Sequence, residues 1–158
     1  MVQSGALFAK SDDGYWLDTG TPAAYLQANR DLLSGLRKGP LAPDLSDRGD
    51  GVFLQSGSVV VGEVVGPSVI FAGCEIADGA RVERSVLGPG SMIEAGALVV
   101  DSVLMEGSHV AANAKVVGSI LGPQSTVGQR ADVRPVSVLG AGSMVASGTL
   151  VDGERVSG

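Results

Sequence analysis

From Ile70 onward, aliphatic residues come in pairs six positions apart: Ile70 and Ile76, Leu87 and Ile93, Leu104 and Val110, Leu121 and Val127, Leu139 and Val145. Four places after each stands a small residue, in order Cys74, Ala80, Ser91, Ala97, Ser108, Ala114, Ser125, Ala131, Ser143 and Thr149. The place before that small residue is Gly in seven of the ten steps, the exceptions being Asn113, Gln124 and Arg130. The pairs themselves recur. Ser68-Val69-Ile70, Ser85-Val86-Leu87, Ser102-Val103-Leu104, Ser119-Ile120-Leu121 and Ser137-Val138-Leu139 are spaced by 17, 17, 17 and 18 residues. With aliphatic residues at about a quarter of the chain, ten consecutive matches by chance are of order one in a million. A period of six nested in one of 17 fits neither a simple helix nor an isolated strand.

Such a period builds a three-sided coil that advances one strand spacing, about 4.8 Å, per turn. The aliphatic residue of each step points inward and stacks on its counterparts in the coils above and below. The small residue also points inward, beside a corner with no room for more. Glycine there supplies the positive φ of a tight turn. The third side is shorter, as in Val82-Glu83-Arg84 before Ser85, which accounts for 17 in place of 18, and Pro135-Val136 carries the extra residue of the last interval. Counting back from Ser68 puts Phe53, Val59 and Val65 in the inward register. The expected fold is all-β, a parallel β-helix of about six coils between residues 51 and 153. In that register Glu94 and His109 point outward, and Glu94→Ala is expected to cost under about 0.5 kcal/mol.

Composition narrows the function. With 44% hydrophobic and 18% charged residues, the chain can bury a core and is not disordered. No apolar run approaches the ~20 residues that span a bilayer, and the first residues lack the basic stretch and apolar run of a secretory signal. A lone cysteine, Cys74, makes no internal disulfide and suits a reducing cytoplasm; its inward slot predicts a buried, inert thiol. A net charge of -6 argues against nucleic acid as a partner. One histidine, His109, rules out a three-histidine metal site within the chain.

The segment before the coils is different in kind. Thr21-Pro22 reads as a helix cap followed by proline at the first helical position. Tyr25, Leu26, Asn29, Leu32, Leu33 and Leu36 follow at helical spacing, predicting a helix over 22–36 with Gly35 as a stop. The helix is expected to cover the first coil, burying Tyr25, Leu26, Leu33 and Leu36. Two prolines and a glycine in Lys38-Gly39-Pro40-Leu41-Ala42-Pro43-Asp44 predict a linker over 39–50. The chain thus divides into 1–38, the linker 39–50 and the β-helix 51–158.

Gly14-Tyr15-Trp16-Leu17-Asp18-Thr19-Gly20-Thr21-Pro22, followed by Tyr25-Leu26-Gln27-Ala28-Asn29, closely resembles the end of the catalytic domain of sugar-nucleotide pyrophosphorylases. With the hexapeptide coils after it, the chain is most similar to the mannose-1-phosphate guanylyltransferase group. That group joins a nucleotidyl-transferring α/β domain to a left-handed β-helix, so the left hand is implied by the resemblance and not by the spacing. It also implies that Asp18 binds the Mg²⁺ that organises the nucleotide and sugar phosphates, and that residues 1–38 are the end of the catalytic domain. Mg²⁺ is typically held by one or two carboxylates plus substrate phosphates. The family's glycine-rich G-x-G-T-R-L loop and second metal-binding aspartate have no counterpart here. Gly140-Ala141-Gly142-Ser143 lies on the coil period and reads as a corner. The chain is therefore expected to be a C-terminal portion of such an enzyme, inactive alone, with Mg²⁺ needed only by the intact enzyme and with the missing catalytic domain as a possible partner.

A second reading comes from another class. In a free-standing hexapeptide-repeat acyltransferase, His109 would be the general base that deprotonates an acceptor hydroxyl or amine, with an acyl-thioester donor. Such enzymes usually break their coils with a long loop near the site, and none interrupts residues 68–135. Arg81, Arg84, Arg130 and Arg134 are read as scattered surface charges. Open strand edges at both ends, and flanks rich in valine and poor in charge, predict a homo-oligomer assembled through the β-helix.

Overall fold

The computed structural model describes residues 14–36 and 44–158; residues 1–13 and 37–43, the latter holding both prolines of the expected linker, lie outside these. Residues 52–156 wind into a parallel β-solenoid of about six turns, each turn placing one short strand in each of three sheets. Neighbouring strands are in register: Leu87 lies between Ile70 and Leu104, Ile93 between Ile76 and Val110, and Val99 between Val82 and Val116. All ten periodic aliphatics are buried, at 0–3% exposure, and so are nine of the ten small residues. Thr149, in the last turn with no coil above it, is exposed. The interior is thus a stack of branched side chains, each closing the gap left by the pleat of the turn below.

The corners explain the small residues. Gly73, Gly90, Gly107 and Gly142 hold φ of +65 to +69°, and the three exceptions, Asn113, Gln124 and Arg130, adopt the same left-handed conformation at +58, +57 and +56°. A residue with a Cβ sits there at a cost of roughly 1–2 kcal/mol, offset by the coils above and below, which fix the corner's path. At the third corner Arg84, Asp101, Gly118, Val136 and Gly153 all have positive φ, so one residue turns the chain where the other corners use more.

The first coil departs from the expected register by one residue. Leu54, Val60 and Val64 lie opposite the inward Ile70, Ile76 and Val82, while Phe53, Val59 and Val65 lie opposite the outward Val69, Glu75 and Glu83. Two corners differ: from Val60 to Val64 the chain advances four residues where Ile76 to Val82 takes six, a tighter second corner at Val61-Gly62, and from Val64 to Ile70 it takes six where Val82 to Leu87 takes five. A Cβ on Gly62 would stand 2.5 Å from the carbonyl oxygen of Ala77, so only glycine lets the chain turn so early. Counting back at a constant period missed that shortening.

Two further differences concern the segment before the coils. Helix α1 runs from Pro22 to Leu33, capped by the Thr21 hydroxyl, which accepts from the Ala24 N–H at 3.2 Å; Gly35, at φ +75°, turns the chain out of it. The helix does not cover the first coil. It lies along the first sheet, where Leu26 (3% exposed) clusters with Val103 and Ile120, and Tyr25, Val86, Met105 and Val138 pack against that cluster. Leu36 is left 69% exposed. The outward positions of the first sheet are aliphatic in turn after turn, and that stripe takes the helix. The first coil's edge is covered instead by a strand, Leu45–Asp47, that pairs antiparallel with Val52–Gln55. It lies within the expected linker.

Candidate functional site

Asp18 and His109, the two residues singled out from the sequence, lie apart. Asp18 is exposed in the lead-in to α1, and its Oδ1 accepts the Gly20 N–H at 2.9 Å. This turn sets up Thr21 as helix cap. No group of three or more His, Cys, Asp or Glu suited to a metal occurs among the described residues. One carboxylate with one oxygen already engaged falls short of an octahedral Mg²⁺ site. The residues present here do not by themselves fit the ion.

His109 points outward from the second sheet, in line with Met92 of the turn below and Thr126 of the turn above. Its Nε2 lies 2.8 Å from Glu94 Oε1, and Glu94 Oε2 accepts the Ala112 N–H at 2.8 Å. The strand period places these groups: Glu94 follows inward Ile93 by one residue, His109 precedes inward Val110 by one, and consecutive turns bring the two side by side. Because a carboxylate only accepts, Nε2 carries a proton, and Nδ1 is the basic nitrogen of a neutral ring. The imidazole first, and then the backbone N–H, hold the Glu94 carboxyl below its ordinary value of 4.5. Next to the pair is a shallow apolar groove walled by Val59, Val61, Ala77 and Met92. Sequence reasoning placed both side chains outward but missed the pairing, which needs the offset between turns. A Glu and a His 15 positions apart, about one coil, were the available signal.

Glu94 is therefore not the bland surface carboxylate the register suggested. A carboxyl with a depressed folded-state pKa stabilises the fold above the unfolded-state value, and the contribution is lost as pH falls through the folded value. In urea titrations Glu94→Gln is expected to cost about 0.5–1 kcal/mol at pH 7, discounted for partial exposure. The gap from wild type should shrink below pH 4.5. An equal gap at pH 7 and pH 3 would show that the pair contributes nothing.

The other candidates have structural roles. Cys74 is fully buried and free, and desolvation raises its pKa, which keeps the thiol protonated and inert. Arg81 pairs with Glu63 and Glu83, Arg84 with Glu83 and Asp101, and Arg134 with Asp132. These arginines neutralise nearby carboxylates and do not converge on an anion site. At Gly140–Ser143, Gly142 has φ +66° and the Ser143 hydroxyl donates to the Gly140 carbonyl at 2.8 Å, a coil corner as expected. No helix among the described residues is long and apolar enough to cross a membrane.

Residues 64–158 match the family model described as the GMPPB C-terminal domain. A curated relative from Oryza sativa subsp. japonica, probable mannose-1-phosphate guanylyltransferase 3, is 35% identical over 82 residues. The alignment covers 49% of this chain and 23% of that relative, so the chain spans under a quarter of its length. Among solved structures, the acetyltransferase domain of PglB from Neisseria gonorrhoeae superposes with a TM-score of 0.62 at 19% identity, over 68% of this chain and 54% of that one. PerB from Caulobacter crescentus, in complex with CoA and GDP-perosamine, gives 0.53 at 21% identity, over 68% and 54%. At these identities the likeness establishes the hexapeptide β-helix fold alone. The family match covers more than half of the chain and all but the first of its coils, and the protein belongs to the GMPPB C-terminal domain family.

Proposed function

We propose that this chain is the assembly and regulatory β-helix of a sugar-1-phosphate nucleotidyltransferase, one that in its intact form makes GDP-mannose or a related nucleotide sugar in the cytoplasm. The observation that carries the reading is the family match over residues 64–158, on a chain whose α1 and Asp18 turn resemble the end of the nucleotidyl-transferring domain. In the intact enzyme Asp18 would offer its carboxylate to Mg²⁺, alongside substrate phosphates and carboxylates from outside this chain. Trp16, 83% exposed beside the Asp18 turn, supports the same reading, since an indole is apolar surface that a packed domain covers. A pyrophosphate-release assay with mannose 1-phosphate, GTP and Mg²⁺ tests it. The isolated chain is expected to give no release, and turnover comparable to an intact enzyme would refute the division of labour.

The Glu94–His109 pair favours one second reading, acyl transfer. A carboxylate that fixes the ring leaves Nδ1 as the base for an acceptor hydroxyl or amine. Thiol release from acetyl-CoA in the presence of an amino sugar, abolished in His109→Asn, would establish it in place of the first; the first reading expects no release.

A further inference from the structure

We infer that the outer face of the second sheet is the surface on which two copies of this chain pack, antiparallel, about a two-fold axis lying along the strands between the third and fourth turns. This rests on the assembly part of the proposed function and specifies the surface that performs it.

The three flanks of the solenoid are not equivalent. The first is occupied by α1. The third carries ion pairs satisfied within the chain, Arg81 with Glu63 and Glu83, and Arg134 with Asp132 and Asp152. Among the described residues it leaves one large apolar side chain uncovered on its strands, Leu150 at 52%, whereas the second face groups four: Val59 is 58% exposed, Val61 64%, Met92 44% and Met144 71%. These are unbranched or small β-branched groups, and between them Ala77, Ala111, Gly128 and Ala146 keep the surface low. Such a face admits another of its kind at close range.

The order of residues along this face is self-complementary. Strand register stacks Val59, Glu75, Met92, His109, Thr126 and Met144 in one column, first turn to sixth. A two-fold along the strands reverses the turns while keeping the columns. It lays Val59 on Met144 of the other copy, Glu75 on Thr126, and Met92 on His109. In the second column Val61 meets Ala146, and Glu94 meets Ala111. Apolar groups meet at both ends, and every carboxylate faces an uncharged partner. Like charges facing each other are what an interface must avoid. An isologous contact requires such self-complementarity.

The test is the mass in solution, by light scattering coupled to gel filtration at micromolar concentration. The wild-type chain is expected at twice the chain mass. Val59→Glu with Met144→Glu sets acid against acid at both ends and should yield monomers; Val59→Glu with Met144→Lys sets opposite charges together and should restore the dimer. Leu150→Glu, on the third flank, should leave the mass unchanged. All three positions are solvent-facing, and equal thermal melts of the dilute proteins confirm that the fold survives. A monomeric wild type would overturn the assembly reading and this one together. An oligomer that survives the double glutamate variant, or that Leu150→Glu dissociates, would overturn only the choice of face. Failure of the lysine variant to restore the dimer would overturn the antiparallel arrangement.

Discussion

Leu104→Asp is expected to abolish cooperative unfolding of the central coils, with a loss above about 4 kcal/mol. Leu104 is 1% exposed and stacks directly between Leu87 and Leu121. An aspartate there leaves a gap where the leucine methyls were, and its carboxyl has neither a partner nor water. The group stays protonated or opens the coil to hydrate, and both routes cost several kcal/mol. A solenoid has no distant contacts to compensate, because each turn touches only its two neighbours. One broken turn therefore separates the solenoid into pieces of two and three turns. Lys115→Ala, outward and exposed on the third sheet, should cost under about 0.5 kcal/mol. Thermal melts followed by circular dichroism check the pair. Equal midpoints would show that the assigned inward register is wrong.

Ser102→Ala, a smaller change in volume, is expected to cost about 2–3 kcal/mol. Ser68, Ser85, Ser102, Ser119 and Ser137 stand in one column at 0–1% exposure. Each hydroxyl from Ser68 to Ser102 accepts the backbone N–H of the serine one turn above, at 3.1–3.2 Å, and the Ser102 hydroxyl donates to the Val100 carbonyl at 2.7 Å. The third corner is where one left-handed residue turns the chain, and it breaks the regular ladder. The serine column supplies the missing acceptor. Without the Ser102 hydroxyl, the Ser119 N–H is buried and unpaired, and an unmade buried bond costs more than a made one contributes. The comparison is Ser91→Ala. Its hydroxyl donates to the Gly88 carbonyl at 2.7 Å and to the Met105 carbonyl at 3.3 Å, but accepts nothing. The Gly88 carbonyl keeps the Ser91 N–H at 3.2 Å. That loss should stay near 0.5–1 kcal/mol. Similar urea midpoints for the two variants would show that the N–H acceptor role has no energetic weight.

Periodic burial was legible in the sequence because it is local and repeated. A side chain that must stack on its copy 17 residues later announces itself by recurring, and Ile70, Leu87, Leu104, Leu121 and Leu139 were read correctly for that reason. The corners were legible too, even where Asn113, Gln124 and Arg130 replace glycine, because the coils on either side dictate the path whatever the residue. The first coil was not. Its shift by one residue arises from a tight second corner at Gly62 and a third corner one residue longer, which no repeat average contains. The serines were visible as a column, but their role as acceptors required the spacing between turns.

The sequence by itself determined a three-sided parallel coil of about six turns, its inward residues, and a helical segment ahead of it with a recognisable Asp18 turn. Tertiary structure decided where that helix goes and what faces outward together. Outward positions in a coil obey no packing rule of their own, so the aliphatic stripe Val86, Val103, Ile120 and Val138 became a seat for α1 only when the chain folded back along it. The same holds for Glu94 and His109, which are 15 residues apart in sequence and 2.8 Å apart in space because neighbouring turns lie one strand spacing from each other.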